Sequence, residues 1–234
     1  MMIKECSRNQ WFSVAAMTTT LAISAHAFAD NHAVDETAIQ TPDQAIQALK
    51  DGNLRFVSGE VLNQDFMAQI EATSGGQQPF AGVLSCLDSR VPPEIVFDQG
   101  IGDIFVGRVA GNIEDTNMIG SFEFAGELVG VKLLVVMGHT SCGAVKGACA
   151  GAELGNLTAL LDAIEPAVEL VKTGIESGEM CAAEHVDHMA EANVRQTIED
   201  IRAASPVLVN LEEAGKLKIV GAMYDISNGV VTWL

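Results

Sequence analysis

Ser85-Cys86-Leu87-Asp88-Ser89-Arg90, together with Gly138-His139-Thr140-Ser141-Cys142-Gly143, is the sequence on which the fold turns. Each half follows a short apolar run, Ala81 to Leu84 and then Leu133 to Met137, bounded by turn-type residues and of the length of a buried strand. Two such runs side by side and parallel bring Cys86, His139 and Cys142 out together at their carboxyl ends, where open α/β sheets bind their ligands. The predicted class is therefore α/β, with a central, mostly parallel sheet flanked by helices.

Two thiolates and one imidazole suit zinc, because soft sulfur and borderline nitrogen match a borderline-soft ion. Three protein ligands leave a fourth position open, which points to catalysis; four would point to a structural site. The His-x-x-Cys pair grips one ion from a single turn, and Cys86 closes the site from far away in sequence, unlike a small zinc finger. Asp88 and Arg90 alternate with Cys86 at intervals of two, so in an extended segment all three share a side. Plain metal storage gives that acid and that base no purpose.

Cys-x-Asp-x-Arg followed by His-x-x-Cys resembles the zinc signature of the β-class carbonic anhydrases, and the resemblance runs from about Thr41 to the C-terminus. It implies that Cys86, His139 and Cys142 hold one zinc ion per subunit, with Asp88 and Arg90 as the dyad beside it. It implies the reversible hydration of carbon dioxide to bicarbonate, and N-terminal helices that embrace a partner, so that a homodimer is the minimum and a tetramer stays open. By its offset from Cys86, Gln77 matches a glutamine that contacts substrate, and Phe105 matches a ring that walls the pocket. Phe124 stands where many members have a tyrosine; it keeps the wall and loses the hydroxyl. Without the resemblance, a loop glutamine is simply solvated and a strand phenylalanine is core.

The expected mechanism follows from charge. Zinc lowers the pKa of a bound water from about 15.7 towards about 7 in the best sites, though two thiolates acidify it less than imidazoles do. Asp88 then accepts a hydrogen bond from the hydroxide and aims it, while Arg90 holds the carboxylate off the metal. Gln77 and backbone donors near Gly143 orient the substrate oxygens. A helix opening at Gly143 favours the thiolate of Cys142, and the glycine lets backbone approach the metal closely. Two other functions stay open: hydrolysis of carbonyl sulfide or carbon disulfide on the same site, and a non-catalytic periplasmic zinc or thiol-redox protein.

Residues 1–29 read as a secretory signal. Lys4 and Arg8 precede an apolar segment from Trp11 to Phe28, and Ala27-Phe28-Ala29 before Asp30 has the form of a cleavage site. Ser13, Thr18 to Thr20 and His26 interrupt the segment, which makes it a poor membrane span, for which about 20 mainly apolar residues are needed. A retained N-terminal anchor is the lesser reading. Export of this kind from a bacterium delivers the chain to the periplasm, free of the membrane. Residues 30–40 follow as a flexible leader and 41–234 as one α/β domain, long enough for its own core. The chain carries a net charge of −18, and removing a segment that is itself +1 leaves −19. That balance argues against nucleic-acid or anionic-membrane partners.

Along the domain, Thr41-Pro42-Asp43 is a helix start ahead of an apolar face made by Ala45, Ile46, Leu49, Asn53 and Phe56. A second helix covers Phe66 to Ala72, a short helical or bridging piece Ile95 to Phe97, and a strand Ile104 to Val109. Helical spacing returns over Asn117 to Gly130, Gly143 to Cys149, Leu157 to Val171 with a kink or restart at Pro166, and Cys181 to Ala204. Leu217 to Tyr224 and Val230 to Leu234 read as strands around an Asn228-Gly229 turn at the sheet edge. Cys181, His185 and His188 share a helical face and form a lesser candidate for a second metal set. Cys149 and Cys181, outside the zinc set, are open between a disulfide and buried free thiols.

Overall fold

The computed structural model describes residues 39–175 and 179–234; the predicted signal segment and the leader as far as residue 38 lie outside the described residues. Five strands form one sheet in the order β2-β1-β3-β4-β5: β1 is Ala81–Ser85, β2 Ile104–Arg108, β3 Leu133–His139, β4 Lys218–Tyr224 and β5 Val231–Trp233. All neighbours are parallel except β4 and β5, which are antiparallel. Every residue of β1 and β3 is buried, as expected of central strands covered on both faces.

Alternation along β3 divides the core. Leu133, Val135 and Met137 face a cluster with Leu49 and Phe97, whereas Leu134 and Val136 face one with Val194, Ile198 and Leu208. The first cluster is covered by α1 (Pro42–Ser58) and α3 (Pro93–Val96), and the second by α7 (Ala183–Ala204) and α8 (Pro206–Glu213). Beside the latter, α5 (Gly143–Cys149) and α6 (Asn156–Lys172) close a third cluster that contains Cys86 and Cys142. Gly138 permits the close seat of α7 on β3: a Cβ there would lie 2.7 Å from Val194 Cγ2.

Local signals explain most boundaries. Helix α1 starts as predicted, with the Thr41 hydroxyl accepting from the Gln44 amide and the Gln44 side chain accepting from the Thr41 amide. Its inner face carries Ala45, Leu49 and Asn53. Asn53 donates to the carbonyls of Val96 and Gly229 and accepts from the amide of Val231, so one buried side chain ties α1 to α3 and to the β4–β5 hairpin. Helix α2 (Phe66–Thr73) matches its prediction but has no fully buried residue.

Other elements differ from the sequence-based expectation. Helix α4 (Thr116–Glu123) continues as a π-helical turn over Phe124–Val129 before Gly130. Helix α6 runs through Pro166 without restarting, because Pro166 is exposed and the carbonyl it leaves without an amide partner, that of Asp162, is also on the exposed side. Helix α7 begins at Ala183, so Cys181 precedes it. The hairpin loop spans Asp225 to Val230 and is longer than a two-residue turn, because the Asp225 carboxylate collects the Ser227 amide and the Asn228 side chain. Among the described residues, no helix is long and apolar enough to cross a membrane.

Candidate metal centre

Cys86 is the first residue beyond β1, His139 the last of β3, and Cys142 caps the amino end of α5. The parallel register that sets Ser85 beside Met137 puts these two strand tips side by side. Strand pairing continues past β1, since Val109 donates to the carbonyl of Ser85 and Leu87 to that of Val109. After β3 the chain reverses through Ser141, whose φ of 55° lies in the left-handed region, and this turn presents Cys142 back towards Cys86. The ligand atoms of Cys86, His139 and Cys142 lie within 4.8 Å of one another. All three residues are buried, with exposures of 4, 0 and 2% for Cys86, His139 and Cys142.

Their hydrogen bonding fits a metal pocket. His139 Nδ1 lies 2.9 Å from the Thr140 carbonyl, which assigns the ring proton to Nδ1. Nε2 therefore carries the lone pair, and it is buried without a hydrogen-bond partner. Such an orphan in a polar pocket is costly unless an electrophile takes it up. The Gly111 amide donates to Cys86 Sγ at 3.4 Å.

The Cys142 thiol, by donating to Cys86, is the main influence that brings Cys86 down to about 4; burial opposes it, and His139 and the amides of Gly111 and Asp88 add to it. Cys142 is pushed up for the complementary reason, since it holds the proton shared with Cys86 and is buried, although the amides of Val145 and Ala144 pull it down. Burial alone would lower His139, but the Cys86 thiolate outweighs it and the net shift is upward. Two sulfurs and one imidazole nitrogen, converging under these donors, fit zinc and exclude a magnesium- or calcium-type oxygen cage.

Beside the cluster, Arg90 Nε and Nη2 donate to the two oxygens of Asp88 at 2.9 and 2.6 Å, and the Arg90 amide adds a third bond at 2.9 Å. This fork holds the Asp88 carboxyl well below the usual carboxylate range. Asp88 Oδ2 stands 4.0 Å from His139 Nε2. Arg108, which the sequence did not single out, donates to the carbonyls of Cys86 and Asp88 and braces the loop that carries them. Gly111, also not singled out, has a φ of 72°, and a Cβ there would lie 2.5 Å from Ile164 Cδ1, so only glycine delivers its amide to Cys86.

The remaining predicted residues are placed elsewhere in the chain. Gln77 lies before β1, at its amino end, in a groove lined by Thr73, Ser74, Ile101 and Gly102. Phe105 pairs in register with Gly82, four residues short of Cys86. Its ring meets that of Phe124 edge-on at 6.2 Å, and both line a groove of about 600 Å³ with Met118 and Phe122. Gly143 is exposed, and a Cβ there would meet nothing within 4 Å, so close packing inside this chain does not demand glycine.

Cys149 and Cys181 form a disulfide, with Cα atoms 5.9 Å apart, which settles the alternative left open by the sequence. It also removes Cys181 from the lesser second metal set. His188 is exposed, while His185 Nδ1 bonds the Glu179 carbonyl. Among the described residues, only Cys86, His139 and Cys142 group as a potential metal site.

A family model described as carbonic anhydrase matches residues 81–231. The chain is 38% identical over 189 residues to "Carbonic anhydrase 2" of Mycobacterium tuberculosis, covering 80% of this chain and 90% of that one. Its fold is similar to that of the β-carbonic anhydrase CafA of Aspergillus fumigatus, with a TM-score of 0.66, 26% identity, and coverage of 82% of this chain and 89% of that one. It is also similar to a tetrameric β-carbonic anhydrase of Sordaria macrospora, with a TM-score of 0.63, 26% identity, and coverage of 82 and 97%.

Proposed function

The chain belongs to the β-class carbonic anhydrase family, and from that premise we infer that it catalyses the reversible hydration of carbon dioxide to bicarbonate and a proton. The observation that carries this reading is a buried Cys-His-Cys cluster beside a carboxylate locked by an arginine. Cys86, His139 and Cys142 are assigned as the ligands of one zinc ion per chain. Zinc bound there supplies acidification of a water, so that hydroxide is available near neutral pH.

The protein's own groups direct that nucleophile. An ionised Asp88 only accepts hydrogen bonds, so it takes the O–H of the attacking oxygen and leaves a lone pair aimed at carbon. Arg90 engages both Asp88 oxygens and prevents the carboxylate from turning onto the metal. The amides of Ala144 and Val145 are engaged by Cys142, so the Gly143 amide, the first of α5, is assigned as the backbone donor for a substrate oxygen. Nothing in the site favours carbonyl sulfide or carbon disulfide, and a non-catalytic zinc or thiol protein leaves the Asp88–Arg90 fork without a role. Asp88→Ala and Arg90→Ala are expected to retain zinc, by metal analysis, and to lose about 100-fold or more in kcat by stopped-flow hydration. Full turnover in either variant overturns the assignment.

The same reading includes a homodimer. Phe66, Ile95 and Ile101 are exposed around a groove of about 550 Å³ between α2 and α3, an apolar surface suited to a second copy. Gln77 sits at the amino end of β1, whereas the metal ligands of its own chain gather at the carboxyl end, so it is assigned to the pocket of a neighbouring chain. Phe105 and Phe124 are assigned as walls of the same pocket. Export to the periplasm rests on the signal-like residues 1–29 and on the Cys149–Cys181 bridge, a linkage favoured by oxidising compartments.

A further inference from the structure

Helix α7 starts more than forty residues beyond Cys142, yet two of its side chains end on turns beside the cysteines, one that leads into Cys142 and one that contacts Cys86. Asn193, only 1% exposed, donates its Nδ2 to the Gly111 carbonyl at 2.7 Å. Gly111 is the residue whose amide points at Cys86 Sγ. One helical turn and a half earlier, Asp187 Oδ1 accepts the amide of Ser141 at 2.6 Å. Ser141 is the left-handed residue immediately before Cys142. Both contacts run from side chain to backbone, so they act on the direction of a turn and leave its side chains free for chemistry.

We propose that Asn193 and Asp187 are positioning residues of the metal centre, through which α7 orients Gly111 and Ser141 and thereby sets the angle at which the two thiolates meet the ion. The inference rests on the zinc assignment above and deepens it.

Gly111 has little freedom of its own, because its φ is 72° and Ile164 closes one side. Its remaining degree of freedom is the tilt of the peptide groups on either side, and Asn193 fixes one of them by its carbonyl. Without that anchor the turn rotates, the amide swings off Cys86, and the thiolate loses one of the donors that steady its charge. At Ser141 a non-glycine residue in the left-handed region is held against its intrinsic preference. The Asp187 carboxylate, a charged acceptor for its amide, opposes relaxation of that turn and the displacement of Cys142 that would follow. Hydrogen-bond partners of metal ligands typically change metal affinity by about 10- to 100-fold when removed. Here the two partners act one bond further out, on the backbone that carries or contacts the ligands.

The test uses the zinc-loaded full chain and, in parallel, its cobalt-substituted form. Asn193→Ala is expected to release zinc to a chelator about 10-fold faster or more, with a weakened or shifted thiolate-to-cobalt charge-transfer band. Asp187→Ala should move both readouts in the same direction, and Asp187→Asn, which keeps an acceptor oxygen, should restore them. Ile201→Val, in the same helix but away from both turns, controls for general loosening of α7 and should leave both unchanged. Wild-type release and an unshifted band in Asn193→Ala and Asp187→Ala overturn the proposal, as does an equal effect of Ile201→Val. If Asn193→Ala does not fold, the Asp187 pair decides the matter alone. A wild-type chain that takes up no zinc instead overturns the zinc assignment itself.

Discussion

Helix α5 has a cysteine at each end, and the two have opposite fates. Cys142, at the amino end, meets Cys86 and His139, while Cys149, at the carboxyl end, is bonded to Cys181. Burial does not separate them, since Cys142 and Cys149 are both below a tenth exposed. What differs is what points at the sulfur. The first pair faces an imidazole and backbone amides that stabilise negative charge. Both pairs belong to one apolar cluster with Leu161, Val171 and Ile175, and in the second pair the two sulfurs meet each other. A thiolate with donors around it is suited to be a ligand, whereas two thiols that face each other close a cross-link.

The sharpest way to break this contrast is to remove a ligand. Cys142→Ser should abolish zinc binding and reduce carbon dioxide hydration to the uncatalysed background, while mass analysis under non-reducing conditions still finds the Cys149–Cys181 bridge. Loss of the bridge in that variant would show that the two ends of α5 are not independent. The double variant Cys149→Ala/Cys181→Ala should do the reverse. It should keep one zinc per chain and lose about 2–4 kcal/mol of stability in denaturant titrations, the usual scale for opening a cross-linked loop of this length, 32 residues in sequence separation.

A smaller effect tests the charge argument directly. With zinc stripped, Cys86 is a thiolate above about 4 and Cys142 keeps its proton at neutral pH, so at pH 6 iodoacetamide should label Cys86 first. The rate at Cys86 should be nearly flat between roughly pH 5.5 and 8, where an ordinary thiol gains about tenfold per unit, and should fall as pH drops through about 4. Labelling of Cys142 first would reverse the assignment of the charge.

The Cys86–His139–Cys142 cluster and the Asp88–Arg90 fork were legible because both lie in short motifs whose strand context was readable from the runs Ala81 to Leu84 and Leu133 to Met137. The start of α1 was legible for a similar reason, since cap, proline and acid are adjacent in sequence. Helix α8 was not identified from the sequence, although Ser205 caps it through the Leu208 amide and Pro206 opens it. The roles assigned to Asn193 and Asp187 left no pattern to find, because they act on backbone atoms of turns far away in sequence. The Cys149–Cys181 pairing was undecided because apolar helical surroundings suit a buried thiol and a bridge equally. At Gln77 an offset in sequence gave a residue but not the end of the sheet on which it sits.

Asn53 links an early element to the final one, since the amide of Val231 and the carbonyl of Gly229 both end on its side chain. During synthesis that helix emerges first, its anchor meets the Val96 carbonyl next, and the two remaining partners arrive only with the hairpin. Trimming strand β5 would therefore leave the buried Asn53 side-chain oxygen without its donor and loosen α1, at the opposite extreme of the domain, first.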